Sequence, residues 1–338
     1  MDSTFVLLAF GLALSFFMAW NLGANDAATP TDCAVGAGVI SIKKAVVLFA
    51  LFSTIGALSQ GFMTIKTIGT GIVPNIDVIG ALTITLATCI WVTFCTWKGL
   101  EISNTYSVVG SVIGYGIAVF GSVESRIFAE LLISWVSSPI LAMALSFTIY
   151  HLLLKAFRNS LDDNRFIKLL SFLLIVALCF SAYTFGANDV GNASGVYLTV
   201  AQEVGNIPSF TAMFILAAFG SVGIALGGLT WGHKVIETVS FKIIRLDVLS
   251  GFAAELANGL IVYLFVTLPY LFLGFGLPVS TSIAGVGAII GVGIAKDFRA
   301  INKSTVGRLL VTWALTVPAT AALSIVLYKS VSLIITAV

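Results

Sequence analysis

Gly186-Ala187-Asn188-Asp189 decides how this chain reads, because the same four residues also stand at Gly23-Ala24-Asn25-Asp26. Both copies lie at the ends of long apolar runs, where an Asn-Asp pair is costly to place. A carboxylate inside a membrane segment costs a few kcal/mol or more and marks a candidate functional site. The glycine ahead of each pair predicts a loosened helix, as where backbone unwinds to coordinate an ion.

Composition sets the class. Of 338 residues, 59% are hydrophobic and only 9% charged, against about 25% charged in an average soluble domain. Mean hydropathy is +1.08. The chain therefore reads as all-α and polytopic, with the lipid bilayer as its solvent. A net charge of +2 is too small for a nucleic-acid partner. Cys33, Cys89, Cys95 and Cys179 show no metal-ligand spacing and read as small apolar residues in helices. Met1-Asp2-Ser3-Thr4 lacks a basic leader, so the run after it reads as a retained first helix.

A spanning helix needs about 20 mainly apolar residues. The pattern predicts spans at 4–22, 44–65, 75–97, 127–154, 166–184, 208–230, 248–273 and 309–336. Shorter, glycine-broken pieces at 27–42, 99–119, 190–205 and 276–295 bring the expected total to about 10–12 segments, some broken or re-entrant. The polar link from Lys155 to Lys168 divides the chain near its midpoint, into a first repeat, 1–160, and a second, 161–338.

Three blocks repeat in the same order. The Asn-Asp motif is the first. The second is Gly99-Leu100-Glu101-Ile102-Ser103-Asn104-Thr105 against Gly276-Leu277-Pro278-Val279-Ser280-Thr281-Ser282, continuing so that Gly110 and Gly114 align with Gly287 and Gly291. Trp135 with Pro139 against Trp313 with Pro318 is the third. With 27–42 and 190–205 re-entrant and the other two pieces crossing, nearly all Lys and Arg fall on one side. Only Lys66, Arg126 and Lys329 fall on the other. Positive charge marks the inside, which places both termini outside and gives each half an odd number of crossings. The halves are then inverted copies, a common build of secondary transporters.

Asp26 with Asn25 and Asp189 with Asn188 offer carboxylate, amide and carbonyl oxygens, a hard-cation set suited to Na⁺. Capping of helix ends by Asn and Asp is the simpler alternative for one copy; duplication favours function. Asn192 and Ser194 follow Asp189 and extend that set, whereas Ala28 and Pro30 are read as the first-half counterparts. The clusters Ser103-Asn104-Thr105 and Ser280-Thr281-Ser282 each open a glycine-rich helix, whose N-terminus is suited to an oxyanion. No Lys or Arg lies deep in any span, which favours cation symport over an Arg-clamped anion carrier. Glu255, with Asn258 one turn on, either tunes a cation site or forms an interhelical hydrogen bond. His151 and His233 lie at span ends, outside both motifs.

These motifs resemble the PiT inorganic phosphate transporters, solute carrier family 20, over essentially the whole chain. The family's duplicated Gly-Ala-Asn-Asp-Val-Ala-Asn-Ala pattern is close to Gly186-Ala187-Asn188-Asp189-Val190-Gly191-Asn192-Ala193. Residues Gly23-Ala24-Asn25-Asp26-Ala27-Ala28-Thr29-Pro30 are a more divergent copy. Its Pro-(Val/Ile)-Ser-Thr-Thr-His pattern is largely kept at Pro278-Val279-Ser280-Thr281-Ser282, while the first copy has lost the proline. Tyr106 and Ile283 replace the usual His, which leans toward Na⁺ rather than H⁺. The resemblance implies a non-enzymatic, multi-pass symporter of the plasma (inner) membrane, with a homodimer as one possible assembly. It implies phosphate between the two Ser/Thr segments, with Asp26 and Asp189 helping to bind the coupling cation. Taken with the residues' own chemistry, this puts Ser103, Asn104, Thr105, Ser280, Thr281, Ser282, Asn25 and Asn188 at the phosphate and Asp26, Asp189, Asn25, Asn188, Asn192 and Glu255 at sodium, with no cofactor beyond the coupling ion. Proton coupling, sulfate as cargo and an anion channel are the alternatives.

Overall fold

The computed structural model of the chain describes residues 3–98, 102–158, 163–239, 246–297, 299 and 302–336. Among them every regular element is a helix. The first half holds α1 (Ser3–Asp26), α2 (Asp32–Gly36), α3 (Ile42–Gln60), α4 (Phe62–Lys66), α5 (Val78–Trp97), α6 (Asn104–Phe120) and α7 (Ser125–Ala156). The second holds α8 (Asn164–Ser194), α9 (Leu198–Glu203), α10 (Ser209–Gly227), α11 (His233–Val239), α12 (Val248–Leu273), α13 (Thr281–Asp297) and α14 (Lys303–Thr336). Eight of the helical stretches are long and apolar enough to cross a membrane. The shorter α6 and α13, with 17 residues each, complete the bundle.

Element by element the halves correspond. Each half also carries one π-helical turn, offset by one short helix: Thr67–Gly71 follows α4, whereas Gly228–Gly232 precedes α11. The counterparts α1 and α8 run antiparallel: Ser15 donates to the Ala193 carbonyl (2.7 Å), and Gly11 lies against Tyr197. This is the geometry that an inverted duplication requires. The short helices are exchanged, α6 packing on α14 and α13 on α7. Glycine makes these contacts possible, since a Cβ on Gly287 would meet the Pro139 carbonyl at 2.4 Å and one on Gly110 the Val317 carbonyl at 2.8 Å. The repeated Trp–Pro block thus forms the seat for the other half's short helix.

Two expectations about the backbone are overturned. The helix does not unwind at Gly-Ala-Asn-Asp: α8 runs unbroken through Asn188-Asp189 to Ser194, and α1 runs through Asn25 to Asp26. Gly186 and Gly23 serve helix crossing instead. A Cβ on Gly186 would lie 1.8 Å from the Ser53 carbonyl, and one on Gly23 1.8 Å from the Ile224 carbonyl. Nor do 27–42 and 190–205 turn back. Residues 195–203 extend α8 through a 3₁₀ turn and α9. After Asp26 the chain makes tight turns, with the Thr31 hydroxyl returned to the Ala27 carbonyl (2.7 Å), and α2 leads on until Ala37 lies against Gly251. That end of the bundle also holds the start of α12 and the end of α13, joined by Lys296 and Asp247.

The pieces 99–119 and 276–295 do cross, as broken helices; residues 99–101, including Glu101, lie outside the described residues. In the second half, α12 ends at Gly274 with φ +79°. The chain then runs back in extended form, with Leu277 N–H on the Phe265 carbonyl (3.1 Å), before α13 begins. Lys43, Lys44, Lys155, Arg158, Lys168 and Lys296 lie toward one end of the bundle, and Lys66, Arg126 and Lys329 toward the other.

Candidate functional site

The two duplicated motifs meet in the middle of the bundle. Asp189 is 1% exposed and accepts three hydrogen bonds, from Asn188 Nδ2 (3.0 Å), Asn192 Nδ2 (2.9 Å) and the Thr281 hydroxyl (3.2 Å). Asp26 accepts from Asn104 Nδ2 (2.7 Å) and the Ser282 hydroxyl (3.4 Å). Asp26 is therefore bonded to the first turns of both short helices, and Asp189 to that of α13. The two aspartates are close enough to feel each other's charge. No Lys or Arg forms an ion pair with either among the described residues. Hydrogen bonds satisfy lone pairs but leave the net charge in place, so such a pair calls for a cation.

Two oxygens fit that need. Asn104 and Asn192 turn their amide nitrogens to the neighbouring carboxylates, and both Oδ1 atoms are left buried without a donor. Together with the aspartates they make a hard-oxygen set of the kind alkali cations take. Thr105 is held between Asn192 (2.9 Å) and the Val279 carbonyl (3.1 Å).

Ser103 and Ser280 play another part. Ser103 Oγ accepts from Tyr106 N–H (3.2 Å) and Ser280 Oγ from Ile283 N–H (3.3 Å), so both serve as N-caps that start α6 and α13. The first N–H groups of the two helices, near Asn104-Thr105 and Thr281-Ser282, remain the donors suited to an oxyanion.

Asn188 and Asn25 are not equivalent. Asn188 is buried and bonds both backbone groups of Val279. Asn25 is half-buried and donates to Asn21. The pairing of Ala28 with Asn192 is also corrected. The 163-residue offset that relates Asp26 to Asp189 puts Thr29 opposite Asn192 and Thr31 opposite Ser194. The structure shows the same correspondence: Thr29 lies 3.4 Å from Ser282, as Asn192 lies 2.9 Å from Thr105. A consistent count across the repeat finds Thr29 from sequence alone. Glu255 stands apart, beside Asp32 and Cys33 rather than among the aspartate oxygens.

Comparison with known proteins places this arrangement. The model of the phosphate transporter family matches residues 22–324. A protein of Pyrococcus furiosus provisionally named a phosphate permease is 29% identical, with 97% of each chain covered. One of Pyrococcus abyssi, named likewise, is 30% identical over 94% of this chain and 96% of its own. A solved structure described as the sodium-dependent phosphate transporter superposes with a TM-score of 0.86 at 26% identity, covering 97% of this chain and all of that one. With the match running through both halves and both motifs, the chain belongs to the phosphate transporter family.

Proposed function

We propose that the protein carries inorganic phosphate across a membrane by symport with Na⁺. The observation that carries this reading is the buried aspartate pair, without a basic ion-pair partner among the described residues and flanked by the unbonded amide oxygens of Asn104 and Asn192. A divalent oxyanion at the N-termini of α6 and α13 would sit beside two carboxylates. Cations bound between them remove that repulsion and make the two cargoes depend on each other. Asp26, Asp189, Asn104 and Asn192 hold the cation in this reading, and Thr105, Thr281 and Ser282 face the phosphate with the helix ends. Asn25, Asn188, Ser103 and Ser280 position these groups.

Inversion of the halves supplies the means of alternating access: repeats related by a pseudo-twofold axis exchange conformations when one rocks against the other. The lysine-rich end is the cytoplasmic one by the positive-inside rule, which places both termini outside. The repeat boundary falls in the link around residues 157–163, and the membrane is the plasma (inner) membrane.

Labelled phosphate uptake into proteoliposomes, with and without an inward Na⁺ gradient at fixed pH, tests the reading. Accumulation above equilibration only with the Na⁺ gradient is expected. Accumulation driven by a pH gradient alone moves the coupling to protons, and mere equilibration under every gradient overturns symport.

A further inference from the structure

A second group of buried side chains lies outside the Asp26–Asp189 site. Asp32 and Cys33, in the first turn of α2, face Glu255 on α12. One carboxylate oxygen of Asp32, the Cys33 sulfur and one Glu255 oxygen all lie within 4.8 Å of one another. The three residues are 7%, 3% and 1% exposed.

The group is not closed on itself. The Ser181 hydroxyl and the Cys33 thiol face Glu255, yet neither of its oxygens receives a hydrogen bond of ordinary geometry. Asn258, one turn further along α12, gives its Nδ2 to the Ser181 hydroxyl (3.3 Å) and leaves its Oδ1 buried without a donor. Glu255, a buried carboxylate with no ordinary hydrogen-bond donor and no basic ion-pair partner among the described residues, is costly to keep charged unless a cation joins it.

The donor set selects that cation. Two carboxylate oxygens and a sulfur make a mixed hard and soft donor set. A thiolate is a soft ligand, passed over by Na⁺, Mg²⁺ and Ca²⁺ but taken readily by Zn²⁺ and ions like it. We propose that Asp32, Cys33 and Glu255 form a second cation site, specific for a borderline divalent ion of the Zn²⁺ or Cd²⁺ kind. Binding releases the Cys33 thiol proton to solvent. The Asn258 amide oxygen is the candidate fourth donor. Since α2 belongs to the first half and α12 to the second, a bound ion ties the two halves together, independently of what the central site carries.

The test uses the purified full-length chain in detergent, titrated with Cd²⁺ alone, with the ultraviolet cadmium–thiolate charge-transfer band as readout. The triple variant C89S/C95S/C179S, which keeps only Cys33, is expected to give one saturable equivalent with the wild-type affinity. C33S should give no band. E255Q and D32N, near in shape to the native residues, should bind at least about tenfold more weakly. The proposal is overturned if the single-cysteine protein gives no band, if C33S keeps it, or if E255Q binds as tightly as wild type. A helical circular-dichroism spectrum and a monodisperse elution profile for each variant separate lost binding from lost folding.

Discussion

The Asn188 side chain and the Val279 backbone exchange two hydrogen bonds: Nδ2 donates to the Val279 carbonyl (2.7 Å), and Val279 N–H donates to Oδ1 (3.0 Å). The amide thus stands in for a neighbouring strand and holds the extended entry to α13 beside Asp189. Without it, two buried backbone groups lose their partner. Asn188→Ala is expected to cost about 1–3 kcal/mol, whereas Asn25→Ala, which loses a bond to a neighbouring side chain, should cost less than about 1 kcal/mol. Thermal unfolding of the two purified variants checks the ranking, and equal shifts contradict it.

Asp26 and Asp189 share one site but not one environment. Asp189 accepts three side-chain hydrogen bonds and Asp26 two. An Asp→Asn change keeps shape and removes the charge that draws the cation. Asp26→Asn and Asp189→Asn should each insert and fold, yet lower Na⁺-driven phosphate uptake by at least about tenfold, or about 1.4 kcal/mol of coupling. Wild-type uptake by either variant removes that aspartate from the cation site.

Much of this was legible in the sequence because duplication left its mark on the residues themselves. The Asn-Asp pairs, the Ser/Thr clusters and the Gly and Trp–Pro positions of the short helices all recur, and the two aspartates, the Ser103 and Ser280 caps and the contacts of Gly110 and Gly287 occupy corresponding places. What escaped had no local signature. Gly186 reads as a helix breaker until Ser53 of α3 is seen pressed against it. Cys33 and Glu255 are far apart in the chain, so no spacing rule connects them. The unequal roles of Asn25 and Asn188 arise from what each meets, Asn21 in one case and Val279 in the other.

The crossing glycines give a direct test of packing. Alanine at Gly23 or Gly186 puts a methyl 1.8 Å from a backbone carbonyl, so the helices must part. The expected cost is at or above about 3 kcal/mol, at the upper end for overpacking. Gly307 in α14 has nothing within 4 Å of its would-be Cβ, and Gly307→Ala should stabilise by up to about 1 kcal/mol through helix propensity. Yields of folded protein and unfolding midpoints should both fall for Gly23→Ala and Gly186→Ala and hold or rise for Gly307→Ala.

Asp247 supplies a pH-dependent contribution outside the spans. Burial raises its carboxyl pKa, but the Lys296 ammonium and the Ser250 donors outweigh that and hold it below the ordinary 3.8. A group lowered on folding stabilises the fold above its unfolded pKa, and that stability is lost as pH falls through the folded value. The wild type should therefore lose stability below about pH 4, and Asp247→Asn should flatten that slope. Asp247→Ala also removes the capping box of α12 and should cost about 0.5–2 kcal/mol at neutral pH. Unfolding midpoints measured across the acidic range distinguish the two effects.

The central site is more open on its Asp26 side. Asn25, Thr29 and Ser282 are half-buried, whereas Asn188, Asn192 and Thr281 are buried. A polar, partly exposed rim beside a buried aspartate is where water and a charged reagent enter first. Ser282→Cys and Thr29→Cys, in a background without the four native cysteines, should react with a membrane-impermeant thiol reagent far faster than Thr281→Cys. Saturating Na⁺ and phosphate should slow that reaction if the same rim admits the cargo. Equal rates at Cys in place of Ser282 and Thr281 contradict the one-sided opening, and labelling confined to one face of oriented vesicles identifies the end from which the site is reached.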